Sequence, residues 1–245
     1  MNIAYNMDCL EAMKQMPDNA FDLAVVDPPY GISITSSSPV HVERERERAA
    51  VGGVGAFGGK KNADRGRPII MPKIYHSFDD EKPPNAEYFS ELKRVSKNQI
   101  IWGGNYFLDH LGPTPCMIFW DKGRDGLNFA DGEIAWTSFK SPTRRFFFKW
   151  NGMLQGDMKN KENRIHPTQK PVRLYQWVYE NFAKEGDKIL DTHLGSGSSR
   201  IAAWELGFDF VGYEIDPVFF ELQEKRFEQH TAQQSLFVME DNNAD

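Results

Sequence analysis

Lys188-Ile-Leu-Asp-Thr-His-Leu-Gly-Ser-Gly197 is the stretch whose reading decides the fold. Residues 188–192 follow the turn pair Gly186-Asp187 and run into glycines, which predicts a short buried strand. Ser198 to Leu206 is compatible with a helix and is stopped by Gly207. Phe208 to Tyr213 predicts a second strand, ending on Glu214-Ile-Asp216. A strand, a glycine loop, a helix, a second strand and then an acid is how a Rossmann-like unit holds a nucleoside. The glycines let the backbone approach the ligand, and the acid accepts hydrogen bonds from ribose hydroxyls.

A dinucleotide fingerprint needs a third glycine near position 200, to bring the helix close behind a pyrophosphate. Arg200 stands there instead. Asp191 at the strand end is poorly placed for phosphates but suited to an ammonium group. The pattern therefore suits S-adenosylmethionine, which carries a ribose, an adenine and an amino-acid tail but no phosphate. A βαβ unit whose glycines only make a tight turn is the alternative reading of this stretch alone.

Near the amino terminus, Phe21-Asp-Leu-Ala-Val-Val-Asp-Pro-Pro-Tyr30 is an apolar strand ending in Asp27-Pro28-Pro29-Tyr30. Two prolines fix φ and force an extended turn at a strand's carboxyl end, where α/β sheets place their ligands. They also remove two N–H donors, leaving carbonyl acceptors. A carboxylate beside such a carbonyl can accept both hydrogens of an exocyclic amine, and the tyrosine offers a face for a base. A proline-capped loop with a core tyrosine is the bland alternative.

With these motifs in place, the chain resembles the amino-methylating DNA methyltransferases of the β (permuted) arrangement, like the site-specific adenine-N6 enzymes of phages and bacteria. Asp-Pro-Pro-Tyr comes first, then a variable region, then His166-Pro-Thr-Gln-Lys-Pro171, then the glycine loop. The resemblance runs from about Asn2 to about Phe227. It implies a catalytic role for Asp27, Pro28, Pro29 and Tyr30. It also implies S-adenosylmethionine contacts from Asp8 near the adenine, Thr168 and Lys170 near the carboxylate, and Cys9, Asp191, His193, Gly195, Ser196, Gly197 and Glu214. The family's usual Asp-Pro-Phe-x-Gly-Ser-Gly appears here as Asp191-Thr192-His193-Leu194-Gly195-Ser196-Gly197, so His193 takes the place of an apolar wall. Read alone, His193 is a packing residue and Asp8 an ordinary helix N-cap.

The resemblance implies a seven-stranded mixed sheet with one antiparallel strand, entered in permuted order, and an activity that needs no metal. It also implies DNA as partner and, by family habit, a homodimer. Asp at the first position of the tetrapeptide leans toward adenine N6; cytosine N4 is the first alternative, and RNA or a protein amide the second. The protein-amide enzymes usually carry Asn where Asp27 stands. A nucleotide-binding module without catalysis is a reading from another class, against which the intact Asp27 and Tyr30 argue. Arg200 and the tetrapeptide speak against a dehydrogenase.

At 245 residues, with 40% hydrophobic and 13% aromatic content, the chain predicts a single globular domain over 1–245. No apolar run approaches the ~20 residues of a membrane span. No secretory signal is visible, and Cys9 and Cys116 form no disulfide framework or zinc spacing, so a reducing cytoplasm is expected. The net charge is −6, which looks awkward for a DNA partner, but its distribution matters more. Residues 140–173 carry +7 and residues 41–67 carry +3, leaving −16 on the remainder. An acidic body with two basic segments fits a nucleic-acid face; a solvated basic surface is the alternative.

Residues 2–6 predict a strand, and Leu10, Met13 and Met16 one face of a helix. A serine- and glycine-rich stretch of about 33–75, with Glu43-Arg-Glu-Arg-Glu-Arg48, predicts a mobile loop. Phe89, Leu92 and Val95 have helical spacing, and Gln99–Trp102 and Met117–Trp120 read as buried strands. Glu133–Phe139 and Arg145–Trp150 resemble a hairpin at the sheet edge. The polar segment within about 140–165 is expected, by position, to be a small target-recognition region. Pro171 is expected at the first position of a helix with Leu174, Tyr175, Val178, Tyr179 and Phe182 on its buried face.

Overall fold

The structure, a computed structural model, describes residues 1–32, 82–124, 130–151 and 154–242. The stretch of about 33–75 expected to form a mobile loop, and with it the basic segment 41–67, lies outside the described residues. Strands are β1 (Asn2–Asn6), β2 (Phe21–Val26), β3 (Ser96–Trp102), β4 (Met117–Asp121), β5 (Gly132–Thr137), β6 (Arg144–Phe147), β7 (Trp150–Asn151), β8 (Leu154–Gln155), β9 (Lys188–Asp191) and β10 (Asp209–Glu214). Helices are α1 (Cys9–Lys14), α2 (Ala86–Val95), α3 (Leu108–Leu111), α4 (Val172–Phe182), α5 (Ser198–Glu205) and α6 (Pro217–Asn242).

Eight strands form one sheet in the order β1-β10-β9-β2-β3-β5-β4-β6. β5 runs antiparallel to β3 and β4, and the other pairs are parallel. This is the expected Rossmann-like mixed sheet with one reversed strand, with eight strands among the described residues where seven were expected. The extra strand is β6, and its pairing corrects the expected hairpin. Both edges of β5 are taken, by β3 and β4, so β6 adds in parallel to the outer edge of β4. Trp150 and Asn151 instead pair with β8 in a separate two-stranded ribbon.

The first and last thirds of the chain meet in the centre. β2 pairs with β9, and β1 pairs with β10, so the permuted sequence closes one continuous sheet. The chain winds outward from this junction in both directions, which opens a crevice beyond the carboxyl ends of β9 and β2.

Period-two alternation assigns the strands to two cores, as expected when both faces are covered. Leu23, Val25, Ile100, Trp102, Ile189 and Phe210 face α4 and α5, packing on Leu174, Val178, Tyr179 and Ala202. Ala24, Val26, Ile101, Leu190 and Val211 face the other way, onto Met13 of α1 and Phe89, Leu92 and Val95 of α2. Asn85 caps α2 by accepting from Tyr88 N at 3.0 Å, an interaction worth about 1 kcal/mol.

Two details differ from expectation. Met16 falls beyond the end of α1, though it still packs on its core. Pro171 is the N-cap of α4, not its first helical residue, because its backbone is extended (φ −71°, ψ 148°). Proline has no side-chain acceptor to offer there. The carboxylate of Glu162 supplies it, accepting from Val172 N at 2.9 Å.

Candidate active site

A cavity of about 840 Å³ occupies the crevice. One end is lined by Leu194, Gly195, Ser196, Glu214, Ile215 and Asp216, and the other by Asp27, Pro28, Pro29, Tyr30, Glu133 and Lys170. His166, Pro167, Thr168 and Phe219 lie along it, as do Trp120, Lys122, Trp150 and Arg164.

The glycine loop builds the first end. Gly195 (φ 52°) and Gly197 (φ 72°) are left-handed, a backbone that only glycine adopts cheaply. Glu214 organises the turn by accepting from Gly195 N at 2.8 Å and from Asp216 N at 2.9 Å. Burial raises its carboxyl above the usual range, and those two amides hold it down in part. The lining here offers carboxylates and apolar surface without a cation, which suits a nucleoside lacking phosphates. His166 stacks edge-on against Phe219 at 4.3 Å between ring centres, and its Nδ1 lies 3.1 Å from the Thr168 hydroxyl. Burial, reinforced by the Lys170 charge, pushes its pKa down to about 4, so it is neutral at pH 7.

At the second end the strand terminus and the His166–Pro171 segment meet. Asp27 Oδ1 accepts from the Tyr30 hydroxyl at 2.7 Å, and Oδ2 accepts from Lys170 Nζ at 2.5 Å. Lys170 also lies 3.2 Å from Tyr30 Oη and 3.1 Å from Glu133 Oε2. The other oxygen of Glu133 is paired with Lys122, whose ammonium sits 4.6 Å from the centre of the Trp120 ring. Burial disfavours charge on Lys170, but its two carboxylates outweigh this and hold the ammonium above its ordinary pKa. Burial would likewise raise Glu133, yet the two lysines win and hold it at about 2. Burial, with help from Glu133, raises Asp27 against the opposing pull of Lys170.

Tyr30 needs Gly103. A Cβ on Gly103 would lie 2.2 Å from Cε1 of Tyr30, and Gly103 has φ 66°. The tyrosine ring stacks on Tyr106 at 5.1 Å and meets Phe107 edge-on at 6.2 Å.

Of the residues singled out from sequence, Asp27, Pro28, Pro29, Tyr30, Thr168, Lys170, His193, Gly195, Ser196 and Glu214 line this cavity. Asp8, Cys9, Asp191 and Gly197 are not among its lining residues. Asp8 caps α1 through Leu10 N at 2.7 Å. The Cys9 thiol is pushed up to about 12 by burial and by the Asp8 charge. Asp191 accepts from the Ser199 hydroxyl and from His193 N, and burial raises it to about 7. Gly197 caps α5. His193 packs edge-on against Tyr88 at 5.4 Å, and burial lowers it to about 4. Arg200, which replaces the third glycine, is buried in an ion pair with Glu224 at 2.5 Å and donates to Asn2 at 2.8 Å.

Sequence reading missed Lys122 and Glu133. Lys122 follows a strand's carboxyl end, a position that could have flagged it. Glu133 carries no such signal, because it begins a strand. It reaches the site because β5 is reversed, which sets Glu133 level with Trp120.

The sequence model of a family described as DNA methylase (N6_N4_Mtase) matches residues 76–225. Type II methyltransferase M2.DpnII of Streptococcus pneumoniae is 24% identical over 261 residues, covering 92% of this chain and 89% of that protein. Type II methyltransferase M.HinfI of Haemophilus influenzae is 23% identical over 264 residues, covering 92% and 68%. Among solved structures, the complex of M1.HpyAVI with SAM superposes with a TM-score of 0.52 at 17% identity, covering 92% of this chain and 100% of that one. The family match spans more than half of the sequence, and the fold agrees: the chain belongs to the N6/N4 DNA methylase family and is a DNA methyltransferase.

Proposed function

We propose that the enzyme transfers a methyl group from S-adenosylmethionine to the N6 amine of adenine in DNA. The observation that carries this reading is the Asp27 carboxylate, set beside the Pro28-Pro29 turn at one end of the cavity whose other end holds Glu214 and the glycine loop. Within about 840 Å³ there is room for a nucleoside cofactor and an extruded base together.

Glu214 would hold the ribose hydroxyls, beside Gly195 and Ser196, and Thr168 would meet the amino-acid end. When bound, S-adenosylmethionine supplies a methyl group on a sulfonium. The amine of adenine is a poor nucleophile because its lone pair is delocalised into the ring. The Asp27 carboxylate and the Pro28 carbonyl would accept its two N–H groups and favour a tetrahedral nitrogen with its lone pair free. Alignment and local electrostatics then supply most of the acceleration. The surplus proton would leave along the hydrogen bond to Asp27, which burial keeps a competent acceptor. The base must leave the duplex to reach this depth.

The DNA-facing surface would be β6 and the ribbon of β7 and β8. Arg144, Arg145, Lys149, Lys159 and Lys161 are exposed there, next to the cavity wall of Trp150 and Arg164. The deciding experiment incubates the protein with methyl-labelled S-adenosylmethionine and mixed-sequence DNA, then identifies the labelled nucleoside by mass spectrometry. N6-methyladenine is expected. N4-methylcytosine would reassign the target, and no labelled nucleoside would overturn the reading.

A further inference from the structure

The buried ammonium of Lys170 has three polar partners, all on the cavity. It donates to Asp27 Oδ2 and to the Tyr30 hydroxyl, and its charge is paired with Glu133 Oε2 at 3.1 Å. Glu133 is in turn fixed by Lys122, so the cluster alternates in sign: Asp27, Lys170, Glu133, Lys122. An ammonium so deep, only 3% exposed, is fixed in place by its two carboxylates. The Tyr30 hydroxyl differs from the other partners, because it gives its proton to Asp27 Oδ1 while taking one from Lys170. Asp27, Tyr30, Lys170 and Glu133 all line the same cavity.

A group that donates to a carboxylate and accepts from a neighbouring ammonium has the hydrogen-bonding pattern of an amidine edge. In adenine that edge is the N6 amine beside N1, and in cytosine the N4 amine beside N3. Guanine presents an N–H at the corresponding ring position. We propose that Lys170 reads the target base: its ammonium donates to the ring nitrogen next to the reactive amine, in the place the Tyr30 hydroxyl holds in this structure. Glu133 is the positioning residue that keeps the ammonium there. The inference rests on the methylation reading above and adds a specificity contact to it. On base entry Tyr30 gives up its hydroxyl contacts, which frees one acceptor on Asp27 and one donor on Lys170. The base returns a donor to Asp27 and an acceptor to Lys170, so both buried charges keep their partners.

The test replaces one atom of the substrate. The recognised sequence is mapped from the methylated DNA, and duplexes are made with adenine, 1-deazaadenine or 3-deazaadenine at the target. With cytosine as target, 3-deazacytosine takes the analogue's place. Carbon at position 1 makes the amine a better nucleophile and weakens its pair with thymine, so both side effects favour the analogue. A loss of rate must therefore come from the site. We expect kcat/KM to fall about 10- to 150-fold for 1-deazaadenine, the worth of a hydrogen bond to a charged group. 3-Deazaadenine, which keeps N1, is expected to stay close to adenine. In Glu133→Gln the ammonium loses an anchor, and the advantage of adenine over 1-deazaadenine is expected to shrink, which a purely structural role for Glu133 would not produce. Equal rates for adenine and 1-deazaadenine in the wild-type enzyme would overturn the role of Lys170 and leave the methylation reading standing. An unshrunk ratio in Glu133→Gln would overturn the positioning role. An enzyme that methylates no base in the first place overturns the methylation reading, and this inference with it.

Discussion

Lys170 Nζ lies 2.5 Å from Asp27 Oδ2, although 143 residues separate the two in sequence. The contact joins the strand-end tetrapeptide to the His166–Pro171 segment and makes a single site of them. From the family resemblance, Lys170 is expected to face the cofactor's carboxylate. In the fold its ammonium is held by Asp27 and Glu133, and His166, Thr168 and Gln169 are the other polar residues of that segment on the cavity.

Asp27→Ala is expected to leave S-adenosylmethionine affinity within a few-fold and to lower the methylation rate by at least ~100-fold, as for loss of a transition-state electrostatic group. Single-turnover kinetics beside calorimetry separate the two effects. Near-normal turnover in a folded variant would sink the assignment.

Glu214→Ala is expected to weaken S-adenosylmethionine binding by about 1.5–3 kcal/mol, the worth of hydrogen bonds to a charged group. The change also frees Gly195 N and Asp216 N, so the loop loses its organiser along with the ribose acceptor. Isothermal calorimetry reads the result, and unchanged affinity would remove Glu214 from the cofactor site.

Gly103→Ala tests the seat of Tyr30. The new methyl group meets the ring at 2.2 Å in a left-handed backbone, which costs about 1–2 kcal/mol in conformation before the clash is counted. We expect a lower melting temperature and a methylation rate reduced about tenfold or more through misplacement of the ring. Cofactor affinity, measured in parallel, should hold. An unimpaired rate would show that the position of Tyr30 does not matter.

Asp191 makes a signed prediction about pH. Its folded-state pKa of about 7 lies above the ordinary carboxylate value, so the folded protein binds the proton more tightly than the unfolded chain does. Stability from this group is present at low pH and is lost as pH rises from about 4 to about 7. Asp191→Asn should therefore gain in melting temperature relative to wild type as pH rises through that window. A difference independent of pH would contradict the buried-acid account.

Lys159→Ala combined with Lys161→Ala probes the ribbon. Both side chains are exposed, so folding should be unaffected. If they meet phosphates, KM for DNA rises and the slope of log affinity against log salt falls by about 0.9 for each phosphate no longer neutralised. An unchanged slope would place the DNA elsewhere.

Much of this molecule is local in origin and so was legible in the chain itself. The strand running into Asp27, the strand ending at Asp191, the glycine loop and the helix that buries Leu174 and Val178 each declare themselves through apolar period, turn chemistry and special backbone positions. The Rossmann-like architecture follows from their order. Tertiary structure alone decided the rest. Which strand lies beside which is a long-range choice, so the outer pairing of β6 and the enclosure of β5 between β3 and β4 have no local mark. The reversal of β5 brings Glu133 to the carboxyl edge of the sheet, where a strand's first residues do not ordinarily reach. The partner of a buried charge is likewise invisible in sequence. Asp191 is spent on Ser199 and His193, Arg200 on Glu224 and Asn2, and Lys170 on two carboxylates from other parts of the chain, because burial obliges each charge to find whichever partner the fold brings near.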